Sequence, residues 1–338
     1  MKATIYDVAR EAGVSIATVS NAIRGKGKIS PKKREEILEI VERLQYQPSM
    51  IASALTGKRT YTLGLLVPDI SNPFFGEIAR AVEERGQQLG YSVIICSTDN
   101  KDERVERYIS LLEQKSVDGI IIGTGISDAS LLERLSSRSV PVAMIARDLP
   151  SADVHKVVID DYLGGVLAAR HLLELGHRRF GVISEKHNRE RIRGFCETVE
   201  RSGQALSPCG IRIFGDDDQI QDGGRAAAEL LELEARPTAL FCCNDMSATG
   251  ALRAAKARGL AVPRDISIVS FDNTILSEVC DPPMTTIAQP MEEMGRLVVD
   301  ALLQELGDGG AKQRFVLQPE LLVRGSTAAF VPEEQKNA

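Results

Sequence analysis

The run Asp69-Ile-Ser-Asn-Pro-Phe-Phe75 places an amide, Asn72, just ahead of two aromatic rings, Phe74 and Phe75. That combination suits a hydroxylated ring: the amide hydrogen-bonds hydroxyls, and the aromatic faces cover the ring's apolar side. Further along, Arg147 follows the apolar run ending at Ile145, Asp160 follows Val157 to Ile159, and Asn244 follows Leu240-Phe-Cys-Cys243. Asp272 follows Ser270-Phe271, Gln289 follows Thr286 to Ala288, and Arg191 lies near the start of a helical stretch carrying Gly194-Phe195. Arginine and carboxylate forks bind neighbouring hydroxyls in pairs, and buried polar groups of this kind must find partners. The chemistry is recognition rather than bond-making. Each residue alone also has a plain structural reading: Asn72 as a turn former before proline, Asn244 and Asp272 as helix caps, the phenylalanines as core.

A second set of residues sits at the N-terminus and suits a different partner. Ser15, Ile16, Ala17 and Asn21 fall within one short helical stretch, and the Asn21 amide has the fork that pairs bidentately with adenine. Thr4, Thr18 and Ser20 are further candidates for the same partner, and Lys2, Arg24, Lys26, Lys28, Lys32 and Lys33 supply charge for phosphate. Residues 1–60 hold eleven Lys or Arg against six Asp or Glu, whereas the rest of the chain holds thirty against forty-one. A basic head on an acidic body is the footprint expected when only the head meets phosphate.

The elements that position these side chains follow from local signals. Thr4 with Asp7 starts a helix whose Ile5, Val8, Ala9 and Ala12 share one face before Gly13 ends it. Ser15 caps a second, with Ile16, Val19 and Ile23 inward and Ala17, Thr18, Asn21 and Ala22 nearer the other faces. Ser30-Pro31 opens a third, with Ile37, Leu38, Val41 and Leu44 as its buried stripe. Two helices joined by a Gly-containing turn make a helix-turn-helix, and the third closes a small core. Met50 to Leu55 is too short to persist as an isolated helix in water, so it orders on binding.

From Tyr61 the pattern becomes strand and helix in alternation, the signal of parallel sheets flanked by helices. Leu63 to Val67, Val93 to Cys96, Gly119 to Ile122 and Val142 to Ile145 read as strands; Phe74 to Leu89, Asp102 to Gln114 and Ala129 to Leu135 read as helices. After Val157 to Ile159 the grammar repeats, with strands at Phe180 to Ile183, Ile211 to Phe214, Ala239 to Cys242 and Ile266 to Ser270, and helices from Leu163, Asn188, Gln219 and Asp245. The tail crosses back through Thr286 to Gln289, a helix over Met291 to Leu306, and strands at Phe315 to Leu317 and Leu321 to Val323. The expected division is a helix-turn-helix head over 1–47 and a hinge and linker over 48–60. A first lobe follows over 61–160 plus 290–322, a second over 161–289 plus 323–330, and a polar tail over 331–338. In open parallel sheets ligands bind beyond the carboxyl ends of the strands, where the first set of residues falls.

Composition bounds the alternatives. The 338 residues are 43% apolar, enough for a substantial core, and no apolar run approaches the ~18 residues that span a bilayer. The start lacks signal-peptide order, which points to the cytoplasm and to no membrane partner. The six cysteines form no C-x-x-C pair and have no ligand spacing with the four histidines, so neither metal nor cofactor is expected; Cys242 and Cys243 read as buried strand residues. An enzyme of the doubly wound kind would need a phosphate-cradling loop or a catalytic constellation. Gly123-Thr-Gly125 lacks the third glycine of a dinucleotide fingerprint, and neither G-x-S-x-G nor a P-loop occurs. A transport binding protein would share the cleft but not the basic head.

Thr4 to Asn21, Gly25-Lys-Gly-Lys-Ile-Ser-Pro31, Tyr46-Gln-Pro48 and Ala52-Ser-Ala-Leu-Thr-Gly57 resemble the LacI/GalR transcription regulators, and the resemblance runs to about Phe330. Two departures fall in the head, Ser49 for the usual Asn and Asn21 for a frequent Arg. The resemblance implies a homodimer on a palindromic double-stranded DNA operator, with the 50–55 hinge helix wedging Leu55 into the minor groove. It implies a two-lobed periplasmic-binding-protein-like domain that takes a small-molecule effector. Asn72, Phe74, Phe75, Arg147, Arg191, Asn244, Asp272 and Gln289 coincide with ligand positions of the ribose-binding periplasmic group, although Ala146 replaces an Asp. A pentose such as ribose, or a related sugar, is favoured, with induction rather than co-repression. The alternative is a co-repressed regulator answering to a sugar phosphate, or to a purine stacked on Phe241.

Overall fold

The computed structural model describes residues 3–23, 27, 29–46, 59–128, 131, 140–149, 152–204, 210–215, 218–308 and 311–332. Lys2, Arg24, Lys26, Lys28, Leu55 and the hinge over Met50 to Leu55 lie outside them, as does the helix expected over Ala129 to Leu135 apart from the buried Leu131. The chain divides into two compact units, residues 1–60 and 61–338.

In the first unit α1 (Ile5–Ala12), α2 (Ile16–Ile23) and α3 (Pro31–Arg43) start and stop where the capping residues predict. The Thr4 amide and hydroxyl both donate to the Asp7 carboxylate, at 3.0 and 2.7 Å, and hold its pKa below the ordinary value. Gly13 ends α1 at φ +61, a left-handed conformation that side-chain-bearing residues adopt at a cost. Ser30 Oγ accepts from the Lys33 amide at 3.4 Å, with Pro31 at the first helical position. Val8, Val19, Ala22 and Ile37 are fully buried. Two inward assignments change: Ile16 is 38% exposed and Leu38 39%, while Ala22 and Ile40 take the buried positions. The buried arc of so short a helix is set by the neighbours it touches, here α1 and α3 for α2, rather than by its most apolar side chains.

The second unit runs β1 (Thr62–Val67), α4 (Pro73–Gln88), β2 (Ser92–Ser97), α5 (Asp102–Gln114), β3 (Gly119–Ile122), β4 (Val142–Ile145), β5 (His155–Ile159) and α6 (Asp161–Glu174). It continues with β6 (Phe180–Glu185), α7 (Arg189–Arg201), β7 (Ile211–Phe214), α8 (Gln219–Leu231), β8 (Ala239–Cys242), α9 (Asp245–Ala257) and β9 (Ser267–Asp272). Last come α10 (Ile275–Val279), β10 (Thr285–Ala288), α11 (Met291–Asp308), β11 (Arg314–Leu317) and β12 (Glu320–Leu322). The strands form two sheets, ordered β11-β5-β4-β3-β1-β2 and β12-β10-β9-β8-β6-β7. The unbroken apolar runs of β1, β3, β4 and β8 are buried from end to end, because helices cover both faces.

Helix α11 returns the chain to the first sheet, packing on α4 and on β3 to β5. The final crossing differs from expectation. Residues 320–322 pair antiparallel with β10 in the second sheet, so the first lobe ends by 319 rather than 322 and the last strand begins at Glu320. Pro319, which has no amide hydrogen to donate, separates it from β11. All other strand pairs are parallel. Among the described residues no helix is long and apolar enough to cross a membrane.

Candidate ligand cleft and nucleic-acid face

The carboxyl ends of both sheets open onto one cleft, and Arg191 is its most constrained cation. Helices α6 and α7 touch backbone to backbone there: a Cβ on Gly165 would collide with the Arg191 carbonyl, and one on Gly194 with the Tyr162 carbonyl. Drawn in this way, the buried Arg191 donates from Nε to Asp161 at 2.6 Å and from Nη1 to the Cys243 carbonyl at 2.6 Å and to Asp272 at 3.4 Å. Its guanidinium carbon lies 3.6 Å from the centre of the Phe271 ring. Burial opposes its charge, but Asp161 and Asp272 outweigh that and raise its pKa. Asp272 responds oppositely: burial pushes its carboxyl well above 3.8, against the pull of Arg191 and with the nearby Asp245 adding to the rise. Gln289 Nε2 donates to Asp272 at 2.6 Å.

Asn72 and Asn244 are both caps and cleft residues, which reconciles the two readings of them. The Asn72 side-chain carbonyl accepts from the Phe74 amide at 3.0 Å, and that of Asn244 from the Ser247 amide at 2.7 Å. Their NH2 groups remain for the cleft and both donate to Gln219 Oε1 at 3.3 Å, the first of these bonds running from lobe to lobe. Asn244 also donates to Glu185. Phe74 and Phe75 are buried at 6% exposure each, edge to face with centres 4.9 Å apart. Arg147 enters the centre from the bend after β4, where Ala146 takes a positive φ of 56°. A second bend, Asp272 at φ +104 and Asn273 at φ +64, follows β9. Non-glycine residues hold such angles only when surrounding structure imposes them, and such strain gathers at binding sites.

The cleft has a narrow centre between two wider mouths. The centre, lined by Asn72, Phe74, Phe75, Arg147, Arg191, Asn244 and Asp272, encloses about 40 Å³. The mouths measure about 380 and 360 Å³, the first lined by Asp160, Tyr162, Arg193 and Gln289 and the second by Asp69, Lys101, Asp218 and Met246. Small-molecule sites run to about 300–1,000 Å³, the size of either mouth, while at the centre the amides hydrogen-bond one another. Asp160 caps α6 through the Leu163 amide at 2.9 Å and lines a mouth rather than the centre.

One expected residue is misplaced. Phe241 is fully buried, stacked at 5.0 Å and 11° on Phe195 within the core, and lines none of the three cavities. Its strand is buried on both faces, so the side that looks toward the cleft end is filled by α7. Sequence reasoning missed Glu185, Asn188, Asn100 and Gln219, which line the centre. Glu185 ends β6 two residues beyond the expected strand end, and extending the same strand-end rule finds it. Burial raises the Cys243 thiol to about 12 and Cys242 well above its ordinary value, which fits inert strand residues. Among the described residues no cluster of three or more His, Cys, Asp or Glu could hold a metal ion.

On the first unit, Thr4, Ser15, Ile16, Ala17 and Asn21 are exposed, and Thr18 and Ser20 are half-buried. Ser15 Oγ caps α2 through the Thr18 amide at 3.2 Å. Lys32 and Lys33 sit in the first turn of α3, Lys33 paired with Glu36 at 2.8 Å.

Residues 4–49 match the family described as bacterial regulatory proteins of the lacI family, and residues 169–327 match a periplasmic binding protein-like domain. The chain is 46% identical to the HTH-type transcriptional regulator DegA of Bacillus subtilis (strain 168), over 97% of this chain and 99% of that one. It is 36% identical to the HTH-type transcriptional repressor PurR of Haemophilus influenzae (strain PittEE), over 97% and 100%. Among solved structures, the lac repressor dimer bound to operator and the anti-inducer ONPF superposes with a TM-score of 0.87 at 28% identity, covering 97% of this chain and 100% of that one. A LacI family regulator from Enterococcus faecium with bound ribose gives 0.72 at 30% identity, covering 80% and 100%.

Proposed function

Because the chain belongs to the LacI family of DNA-binding transcriptional regulators and is therefore no enzyme, we propose that it is a dimeric repressor whose hold on a palindromic operator is set by a sugar in the cleft. In this reading the protein works in the cytoplasm, and a pentose such as ribose induces release. The observation that carries it is Arg191 held between Asp161 and Asp272, among a ring of amides and beside two phenylalanine faces. Forks of that kind bind vicinal hydroxyls, and the rings cover the apolar side of a sugar.

The head, 1–47, reads bases through Ser15, Ile16, Ala17 and Asn21, with Thr4, Thr18, Ser20 and Lys26 on phosphate or groove edges. The hinge and linker, 48–60, would wedge Leu55 into the minor groove. Closure of the lobes on the sugar then biases the hinge order, for which a differential affinity of about 1–3 kcal/mol between the two states suffices.

A thermal-shift panel of ribose, other pentoses, hexoses, their phosphates and purines on the full-length protein tests this. A ligand at 100 times its Kd adds about 2.7 kcal/mol to the folded state. A shift with a pentose that Asp272→Ala abolishes is the expected result. A shift with purines alone would overturn the sugar, and a shift accompanied by tighter operator binding would overturn induction.

A further inference from the structure

Glu185 has no part in the reading so far, yet its carboxyl group lines the narrowest part of the cleft at 5% exposure. It ends β6, accepts a hydrogen bond from Asn244 Nδ2, and through Asn244 joins the chain of amides that continues to Gln219 and Asn72. Basic and acidic groups around it are equal in number. The central cavity holds two arginines, Arg147 and Arg191, against two carboxyl groups, Glu185 and Asp272, and Arg191 is engaged by Asp161 as well. The mouths do not supply spare positive charge either. In one, Arg193 and Arg314 pair with Glu190 and Asp148; in the other, Lys101 is the one cation among the described lining residues, facing Asp69, Asp218 and an Asp99 that pairs with Arg104.

We propose that Glu185 is a specificity-determining residue that restricts the effector to uncharged, hydroxyl-rich molecules and excludes phosphate esters and uronates. This rests on the sugar reading of the cleft and narrows it. A buried carboxylate is an acceptor only, so it pairs with a hydroxyl donor and repels an anion at a site where little water screens the repulsion. The remaining lining adds uncharged amides, donors from Asn72 and Asn244 and groups of both kinds from Asn100 and Asn188, as a neutral polyol requires. Discrimination of this type comes from the unfavourable contact with the wrong ligand as much as from the favourable contact with the right one.

Titration calorimetry on the full-length protein with D-ribose, D-xylose and D-glucose, each beside its terminal phosphate ester, and with D-glucuronate, separates the outcomes. The expected result is a neutral sugar that binds at least about a hundredfold tighter than its own phosphate ester, with Glu185→Gln weakening the sugar and shrinking that ratio by about tenfold or more, as loss of a charge-assisted partner implies. The wild-type ratio stands even without the variant, and an unchanged melting curve for the ligand-free variant certifies its fold. Equal or tighter binding of the phosphate ester or of glucuronate to wild type overturns the role of Glu185 while leaving a sugar site. A ratio that Glu185→Gln does not move also overturns it. Binding of none of these compounds overturns the sugar reading and this inference together.

Discussion

The face of the head proposed to read bases and the centre of the cleft both gather polar side chains, but in opposite states. In the head, Ala17 and Asn21 are exposed on α2, and the exposed Ser15 caps its start. In the cleft, Arg191, Asp272 and Gln289 are buried and joined through Asp272, and the buried Asn244 is bonded to Glu185 and Gln219. The side chains of the head are thus open to solvent, with Ser15 Oγ bonded only to Thr18 of its own helix, whereas those of the cleft are held by protein partners from distant elements. Substitutions should weaken the head through lost contacts with DNA, and act on the cleft through both fold and ligand.

The largest effect should come from Arg191→Ala, which leaves Asp272 buried without its cation. Breaking such a pair costs about 3–5 kcal/mol, so the variant should melt several degrees lower and lose its sugar response; an unchanged melting point would mean that the pair is better solvated than its burial implies. Next is a pH effect. The raised pKa of Asp272 means that the folded state holds this proton more tightly than the unfolded state. Its contribution is therefore full below about 3.8 and is lost as pH rises through the raised folded value. Asp272→Asn should flatten that decline in melting curves recorded from pH 4 upward, and an equally steep decline would assign it to another group such as Asp245, also raised by burial.

On the head, Asn21→Ala should cost about 1–3 kcal/mol at one base pair and leave folding intact, as bidentate base contacts do. Electrophoretic mobility shifts with single-base operator variants read this out, and a uniform loss across variants would make Asn21 a phosphate contact. The smallest effect, and the sharpest test of the contrast, is Gln219→Ala. Releasing Asn72 and Asn244 from their bonds to Gln219 should tighten D-ribose severalfold, in line with about 0.5–1.5 kcal/mol for a neutral hydrogen bond. Weaker binding would show that Gln219 itself touches the sugar.

Legibility follows the same division. The head's helix boundaries could be read from Thr4 with Asp7, Gly13 and Ser30-Pro31, because a cap bonds within three residues of itself. The orientation of those helices was harder to read: Ile16 faces outward and Ala22 inward, since short helices turn to suit their neighbours. In the cleft the strand-end rule pointed to Asn72, Arg147, Asn244 and Asp272, which line the centre together with Arg191 from the first turn of α7. The resemblance, not that rule, had pointed to Phe241, which instead stacks on Phe195 of α7, because periodicity cannot say which face of a doubly covered strand meets a helix.

The sequence by itself determined the capped head, the alternation of strands and helices, the partition of charge and the membership in a family of DNA-binding regulators. Each of these is encoded in neighbouring residues or in totals along the chain. Only the tertiary structure decided that Gln219 belongs to the cleft, that Phe241 does not, and that the last strand turns antiparallel into the second sheet. Those outcomes join residues as far apart as Asn72 and Gln219, whose meeting depends on how two sheets close on each other rather than on any local preference of the chain.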